Sequence, residues 1–231
     1  MRDLTILYVT SNTISDTFGR NLRHYLLQAS AKQIANIITV SKKPLDFGTN
    51  YVFRGDRSHI GIYRDALIGA KQIRTKYMAF CEDDVLYSPA HFKYRPSKDT
   101  FAYNSNCWSL YTWIRPALFN YKGARRNNCT LICETKLYIE TMEERFAFYK
   151  GVPEDQIPLK TWAEPGRYEG NIGLPIRATE YFNPDPPNIM FSHPEGLSMN
   201  NLGQRKRMGS VRATEIPFWG RADDIVKLYE K

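Results

Sequence analysis

Nowhere in the chain does an apolar run approach the ~20 residues that a membrane span needs, which argues against a membrane-embedded protein. The opening MRDLTILYVTSN holds an apolar core too short and too early for a secretory signal, so a cytoplasmic location is the expectation. Cysteine is scarce. The four thiols, Cys81, Cys107, Cys129 and Cys133, supply one C-x₃-C pair and no second pair at metal-binding spacing, so they are read as reduced and buried. Asn128-Cys129-Thr130 matches a glycosylation acceptor in form only, because no secretory signal precedes it. The chain also lacks a G-x-G-x-x-G fingerprint and a G-x-x-x-x-G-K-[ST] phosphate loop, which removes the sequence basis for NAD binding or P-loop NTPase chemistry. No internal repeat or low-complexity segment is present.

What remains is an ordinary globular composition, 42% hydrophobic and 24% charged, on 231 residues, a length that fits a single domain over 1–231 with a sizeable core. The balance of charge is less ordinary. A net charge of +8 favours an anionic partner: nucleic acid, a phosphorylated ligand or an anionic membrane surface.

Taken in order, residues 4–10 (LTILYVT) form a β-branched and aromatic run that reads as a central strand ending at Thr10, Ser11 and Asn12. Ligands of open α/β sheets gather at such ends, which makes these three candidate binding residues. Residues 16–33 carry Phe18, Leu22, Tyr25, Leu26 and Ala29 at helical spacing, and 36–41 return as a strand. This β-α-β opening predicts a Rossmann-type, mostly parallel central sheet flanked by helices. Residues 42–58 read as loop with a short strand at 51–54, and 61–75 as an amphipathic helix bearing Arg64 and Asp65. Further strands are expected at 101–103 and 108–113, paired as a hairpin, and a long helix at 129–149. A Pro- and Gly-rich region follows over 152–187, then a final strand at 188–192 ending in His193 and a last helix at 223–229.

The densest chemical signal lies between these elements. The apolar run 77–81 reads as a buried strand that delivers Glu82, Asp83 and Asp84 to its C-terminal end. Carboxylates so crowded repel one another and are found together where a cation or a positive group sits among them.

A helix with Gly61-x-x-Arg64-Asp65-Ala66-Leu67, followed by a strand ending in Glu82-Asp83-Asp84, resembles the nucleotide half of GT-A fold glycosyltransferases. The resemblance implies a nucleotide-sugar-binding half over 1–115 and a loop-rich acceptor half with a C-terminal lid over 116–231. It implies a divalent cation, Mn²⁺ or Mg²⁺, bridging the diphosphate of a nucleoside-diphosphate sugar, with Asp84 as principal ligand and Glu82 flanking it. It further implies Asp83 near the ribose or sugar, Arg64 and Asp65 on the nucleotide side, and His193 as a third metal ligand. Pro194 directly after His193 departs from the family's usual pattern.

The chemistry itself asks for little more. Departure of a nucleoside diphosphate leaves negative charge that a hard cation held by carboxylates stabilises, and the phosphates complete its shell. Arg205 and Arg207, within the basic tract 204–212, are candidates to close over the phosphates. An inverting transfer also needs a base near the acceptor hydroxyl; Glu164 is the first candidate and Glu169 the second, whereas a retaining transfer needs none. For the acceptor, basic clusters at 122–126 and 204–212 suggest DNA, and the combination resembles the small phage enzymes that glycosylate hydroxymethylated bases. Two alternatives stay open: a glycosyltransferase for a surface polysaccharide or lipid-linked sugar, and a nucleic-acid-binding protein without catalysis.

Overall fold

The computed structural model describes residues 2–158, 162–196 and 209–230. Its first half alternates β1 (Leu4–Thr10), α1 (Asp16–Ser30), β2 (Ile34–Ser41), β3 (Thr49–Val52), α2 (His59–Ala70) and β4 (Tyr77–Glu82). The chain continues through β5 (Val85–Leu86), β6 (Thr100–Asn104), β7 (Cys107–Tyr111), β8 (Phe119–Tyr121), β9 (Leu131–Glu134) and α3 (Thr135–Phe148). After a loop region come β10 (Ala178–Phe182), β11 (Asn188–Ser192), β12 (Val211–Ala213), β13 (Glu215–Ile216) and β14 (Gly220–Arg221), then two short helical turns, Ala222–Ile225 and Lys227–Glu230.

Seven strands form the main sheet in the order β10-β6-β9-β4-β1-β2-β3. All neighbours run parallel except β9, which is antiparallel to both β4 and β6. A second sheet, β12-β8-β7-β11-β5, packs beside it. The result is a mixed α/β fold with a large, mostly parallel sheet, as the β-α-β opening predicts. Among the described residues no helix is long and apolar enough to cross a membrane.

Side chains of β1 sort by parity onto two cores. Leu7 and Val9 pack with Ile60, Tyr63 and Ala66 of α2 and with α3, whereas Leu4, Ile6 and Tyr8 pack with Leu26 and Ala29 of α1. Helix α1 starts where Ser15 Oγ accepts from the Phe18 amide at 3.2 Å, and α2 where Ser58 Oγ accepts from the Gly61 amide at 2.8 Å. Gly69 lets α2 lie directly on the sheet. A Cβ there would stand 2.4 Å from Leu7 Cδ1 and 2.7 Å from Val40 Cγ2.

Two expectations are corrected. The helix expected over 129–149 divides into strand β9 and helix α3. Leu131, Ile132 and Cys133 are fully buried between β4 and β6, and a strand covered on both faces shows no polar alternation to separate it from a helix. The hairpin expected between 101–103 and 108–113 does not form either. At Ser105-Asn106 the chain leaves the main sheet for the second one: the Ser105 amide follows the β6–β10 pairing by donating to Phe182 O at 2.8 Å, and Asn106 Nδ2 donates to Pro184 O at 2.8 Å. The last helix is two separate turns rather than one, and the four cysteines are buried and free of disulfides.

Candidate active site

Strand β4 carries Glu82 at its C-terminal end, and the turn Asp83-Asp84 hands the chain from the main sheet to the second one through β5. Strand β11 pairs antiparallel with β5, and the Phe191 amide donates to Asp84 O at 2.8 Å. Residues more than a hundred positions apart are therefore held in register. This pairing brings His193, one residue beyond β11, to the acidic turn: its Nε2 is 3.5 Å from Asp84 Oδ2.

The ring is held from its other side. Nδ1 lies 3.0 Å from Glu195 Oε2, and the Tyr229 hydroxyl donates to the same carboxylate at 2.9 and 3.1 Å. Burial opposes protonation of His193, but the hydrogen bond and charge of Asp84, joined by Glu195, outweigh it and hold the pKa above the ordinary value. Asp84 Oδ1 is buried with no hydrogen-bond partner.

The other two carboxylates differ in environment. Thr10, at the end of β1, donates its hydroxyl to Asp83 Oδ2. Burial and the neighbouring Asp84 charge nonetheless push Asp83 up to about 6. Glu82 is raised well above the usual carboxylate range by burial and then by the charges of Asp84 and Asp83.

These groups floor a cleft of about 1120 Å³. One wall includes Thr10, Ser11, Lys42, Gly61, Tyr63 and Asp65; a second wall, which meets the first where Trp162 packs on Tyr63 with ring centroids 5.8 Å apart, includes Ser109, Arg125, Arg126, Glu164 and Arg167. Lys42 Nζ lies 2.7 and 3.0 Å from the buried Asp65 carboxylate. Burial raises the Asp65 pKa despite that pairing. Across the cleft, Arg167 pairs with Glu164 at 3.0 Å. Arg57 donates to the Glu195 carbonyl oxygen, linking the loop before α2 to the loop after β11.

The structure thus gathers Thr10, Ser11, Asp65, Glu82, Asp83, Asp84, Glu164 and His193 on one cleft. Three candidates are turned elsewhere. Asn12, at φ 54°, uses its side-chain carbonyl to accept from the amides of Lys42 and Lys43 at 2.8 and 3.0 Å, pinning the β1 loop to the β2 loop. Arg64 points away from the cleft, paired with Glu154 and lying over the Phe146 ring. Glu169, 2% exposed, is committed to the buried Arg145 guanidinium and to the amides of Gly166 and Tyr168, so its role is to fold the 163–169 loop. Arg205 and Arg207, with Lys206, lie outside the described residues. Arg212 is exposed on β12, with its Nε donating to Gly209 O at 3.4 Å.

The acidic turn offers only a partial metal site. Among the described residues no three His, Cys, Asp or Glu side chains converge to hold an ion, so Glu82, Asp84 and His193 do not form the three-ligand set expected of them. The unpartnered Asp84 Oδ1, with the His193 Nε2 alongside, fits a smaller role: an open, two-residue hold on a hard cation whose other ligands come from phosphate and water.

Sequence reasoning overlooked Lys42, Arg57 and Tyr229. Lys42 and Arg57 sit in polar loops without a motif, and Tyr229 reaches the site only through the fold of the C-terminal turn. Arg125 and Arg126 were visible as a basic cluster, but only the structure sets them in the cleft.

No protein-family model and no curated protein sequence matches the chain. Solved structures similar to it include a glycosyltransferase involved in the glycosylation of the major capsid of PBCV-1, at 13% identity and TM-score 0.48 over 81% of this chain and 91% of that one. The inositol-1-phosphate CTP transferase from T. maritima matches at 12% identity and TM-score 0.47, over 84% of this chain and 90% of that one. A nucleotidyl transferase from Methanothermobacter thermautotroptrophicus matches at 8% identity and TM-score 0.42, over 78% and 88%. At these TM-scores the likenesses carry no functional conclusion, and the reading that follows rests on the cleft.

Proposed function

We propose that this chain is a divalent-cation-dependent glycosyltransferase that moves a sugar from a nucleoside-diphosphate sugar to a hydroxyl acceptor. The observation that carries the reading is the buried, unpartnered Asp84 Oδ1 on the floor of the cleft, with His193 beside it. A buried carboxylate oxygen without a partner is costly, and a cation relieves that cost. The resemblance of the Gly61–Asp84 stretch to GT-A enzymes adds support, because it too puts the acidic motif at the end of a central strand.

In this reading the Thr10, Ser11, Lys42 and Asp65 wall takes the nucleotide, and Asp84 with His193 holds Mn²⁺ or Mg²⁺. The cation supplies charge stabilisation for the leaving diphosphate. The acceptor enters along the second wall. Its oxygen bonds to the anomeric carbon as the bond from that carbon to the diphosphate oxygen breaks, the electron pair leaving on the diphosphate. In an inverting transfer the acceptor proton passes to Glu164, whose carboxylate lines the cleft and lies close enough to Glu82 to raise its pKa.

The acceptor proposed is a hydroxymethylated base in DNA. Lys122, Arg125 and Arg126 on the cleft support it. The test is transfer of radiolabelled sugar from a panel of nucleotide sugars, with Mn²⁺, to hydroxymethylated DNA, unmodified DNA and lipid or saccharide acceptors. Label on hydroxymethylated DNA alone supports the full reading. Label on a lipid or saccharide acceptor keeps the glycosyltransferase and removes DNA; a nucleotidyl product, or no transfer with any donor, overturns it.

A further inference from the structure

We infer that Arg125 and Arg126 form a separate anion site on the acceptor wall, built to hold a phosphate group of the acceptor. The cleft's other cations are mostly neutralised. Lys42 sits against Asp65, Arg167 against Glu164, and His193 between Asp84 and Glu195. Arg125 and Arg126 are different. Both are half-buried, and among the described residues neither has a carboxylate within ion-pair distance. Arg125 Nη2 donates only to the Ser109 hydroxyl, at 3.2 Å, and Arg126 donates to Gly166 O at 2.8 Å and Thr179 Oγ1 at 3.0 Å.

Arg125 and Arg126, consecutive in the chain and both on the cleft, are held partly out of water by neutral partners and lose hydration without a compensating charge. A bound anion offsets that cost, and arginine's planar fork suits phosphate oxygens. The site faces the acceptor for a structural reason. Arg126 is bonded to the loop that carries Glu164, and Arg125 to β7 of the second sheet, whereas the nucleotide wall is built from β1, β2 and α2. This inference rests on the glycosyltransferase reading for the word acceptor, but the anion site itself does not.

The test is calorimetric titration of inorganic phosphate into the protein, first alone and then with the donor site filled by a nucleoside diphosphate and Mn²⁺. Phosphate is expected to bind in both states. Arg125→Gln is expected to weaken it roughly tenfold and Arg125→Lys, which keeps the charge and loses the fork, to recover only part of the loss. Among the described residues Arg125 makes one side-chain hydrogen bond, to Ser109, and an unchanged melting temperature establishes that Arg125→Gln is folded. Loss of phosphate binding once the nucleotide is bound would assign these arginines to the donor, and equal binding by wild type and Arg125→Gln would remove the site. If the nucleotide itself fails to bind, the glycosyltransferase reading falls while the titration without nucleotide still decides the anion site. Competition then separates the sources of the phosphate. Displacement by a hydroxymethylated single-stranded oligonucleotide identifies a nucleic-acid backbone, and displacement by a sugar phosphate identifies a small acceptor. Displacement by neither overturns the acceptor role.

Discussion

His193 and Glu195 are joined through Nδ1 and Oε2 at 3.0 Å, which leaves the opposite ring nitrogen, Nε2, directed at Asp84. With carboxylates at both ring nitrogens the metal-free ring favours its proton; a cation that displaces the Nε2 proton would find the ring already oriented by Glu195 at Nδ1, with Tyr229 holding that carboxylate in place. Glu195→Gln should therefore weaken Mn²⁺ binding by about 10- to 100-fold, read by calorimetry or by paramagnetic resonance of free Mn²⁺. Tyr229→Phe should act in the same direction and less strongly. Unchanged Mn²⁺ affinity in Glu195→Gln would separate His193 from the metal.

The two glutamates near the acceptor wall should behave in opposite ways. Glu164→Gln is expected to lower kcat by about 10² to 10⁴ if it is the general base, with little effect on melting. Glu169→Gln leaves the buried Arg145 without its counter-charge and should cost about 3–5 kcal/mol of stability, read by denaturant unfolding. A stable Glu169→Gln protein with a large kcat loss would reverse the two assignments.

Gly69→Ala tests the packing of α2 on the sheet. Alanine gains about 1 kcal/mol in helix propensity. Its methyl must nevertheless displace Leu7 and Val40, and overpacking typically costs about 1–3 kcal/mol, so net destabilisation is expected. A rise in melting temperature would contradict that contact.

The acidic turn gives a pH signature in metal-free protein. Asp83 has a folded pKa of about 6, above its ordinary 3.8, so the folded state binds this proton more tightly than the unfolded state. Its contribution to stability is present below the unfolded value and is lost as pH rises through the folded one. Asp83→Asn retains an acceptor for Thr10 and removes that dependence. In chelator, its melting temperature relative to wild type should climb between about pH 4 and pH 6. A constant difference across that range would show that Asp83 is not destabilised by its neighbours.

Much of the frame could be read from the residues. The β-branched run ending at Thr10, the strand ending in Glu82 and the strand before His193 all stand where their patterns put them, because apolar runs bounded by polar turns leave few alternatives. Strand β9 was not legible, since its partners β4 and β6 bury it on both faces and erase the alternation that marks a strand. The site was legible in its acidic motif and in His193, but not in its partition of charge. That Arg64 turns to Glu154, Glu169 to Arg145 and Asn12 to the β2 loop depends on contacts 24 to 90 residues distant in sequence, where no local pattern reaches.

The central claim is most directly tested by thermal unfolding of wild type and Asp84→Asn with a panel of nucleoside diphosphates, each with Mn²⁺ and with chelator. At 100 times the dissociation constant a bound nucleotide should stabilise wild type by about 2.7 kcal/mol, in Mn²⁺ and not in chelator. In Asp84→Asn that gain should vanish. A nucleotide shift that ignores the metal, or one that survives in Asp84→Asn, would contradict the account.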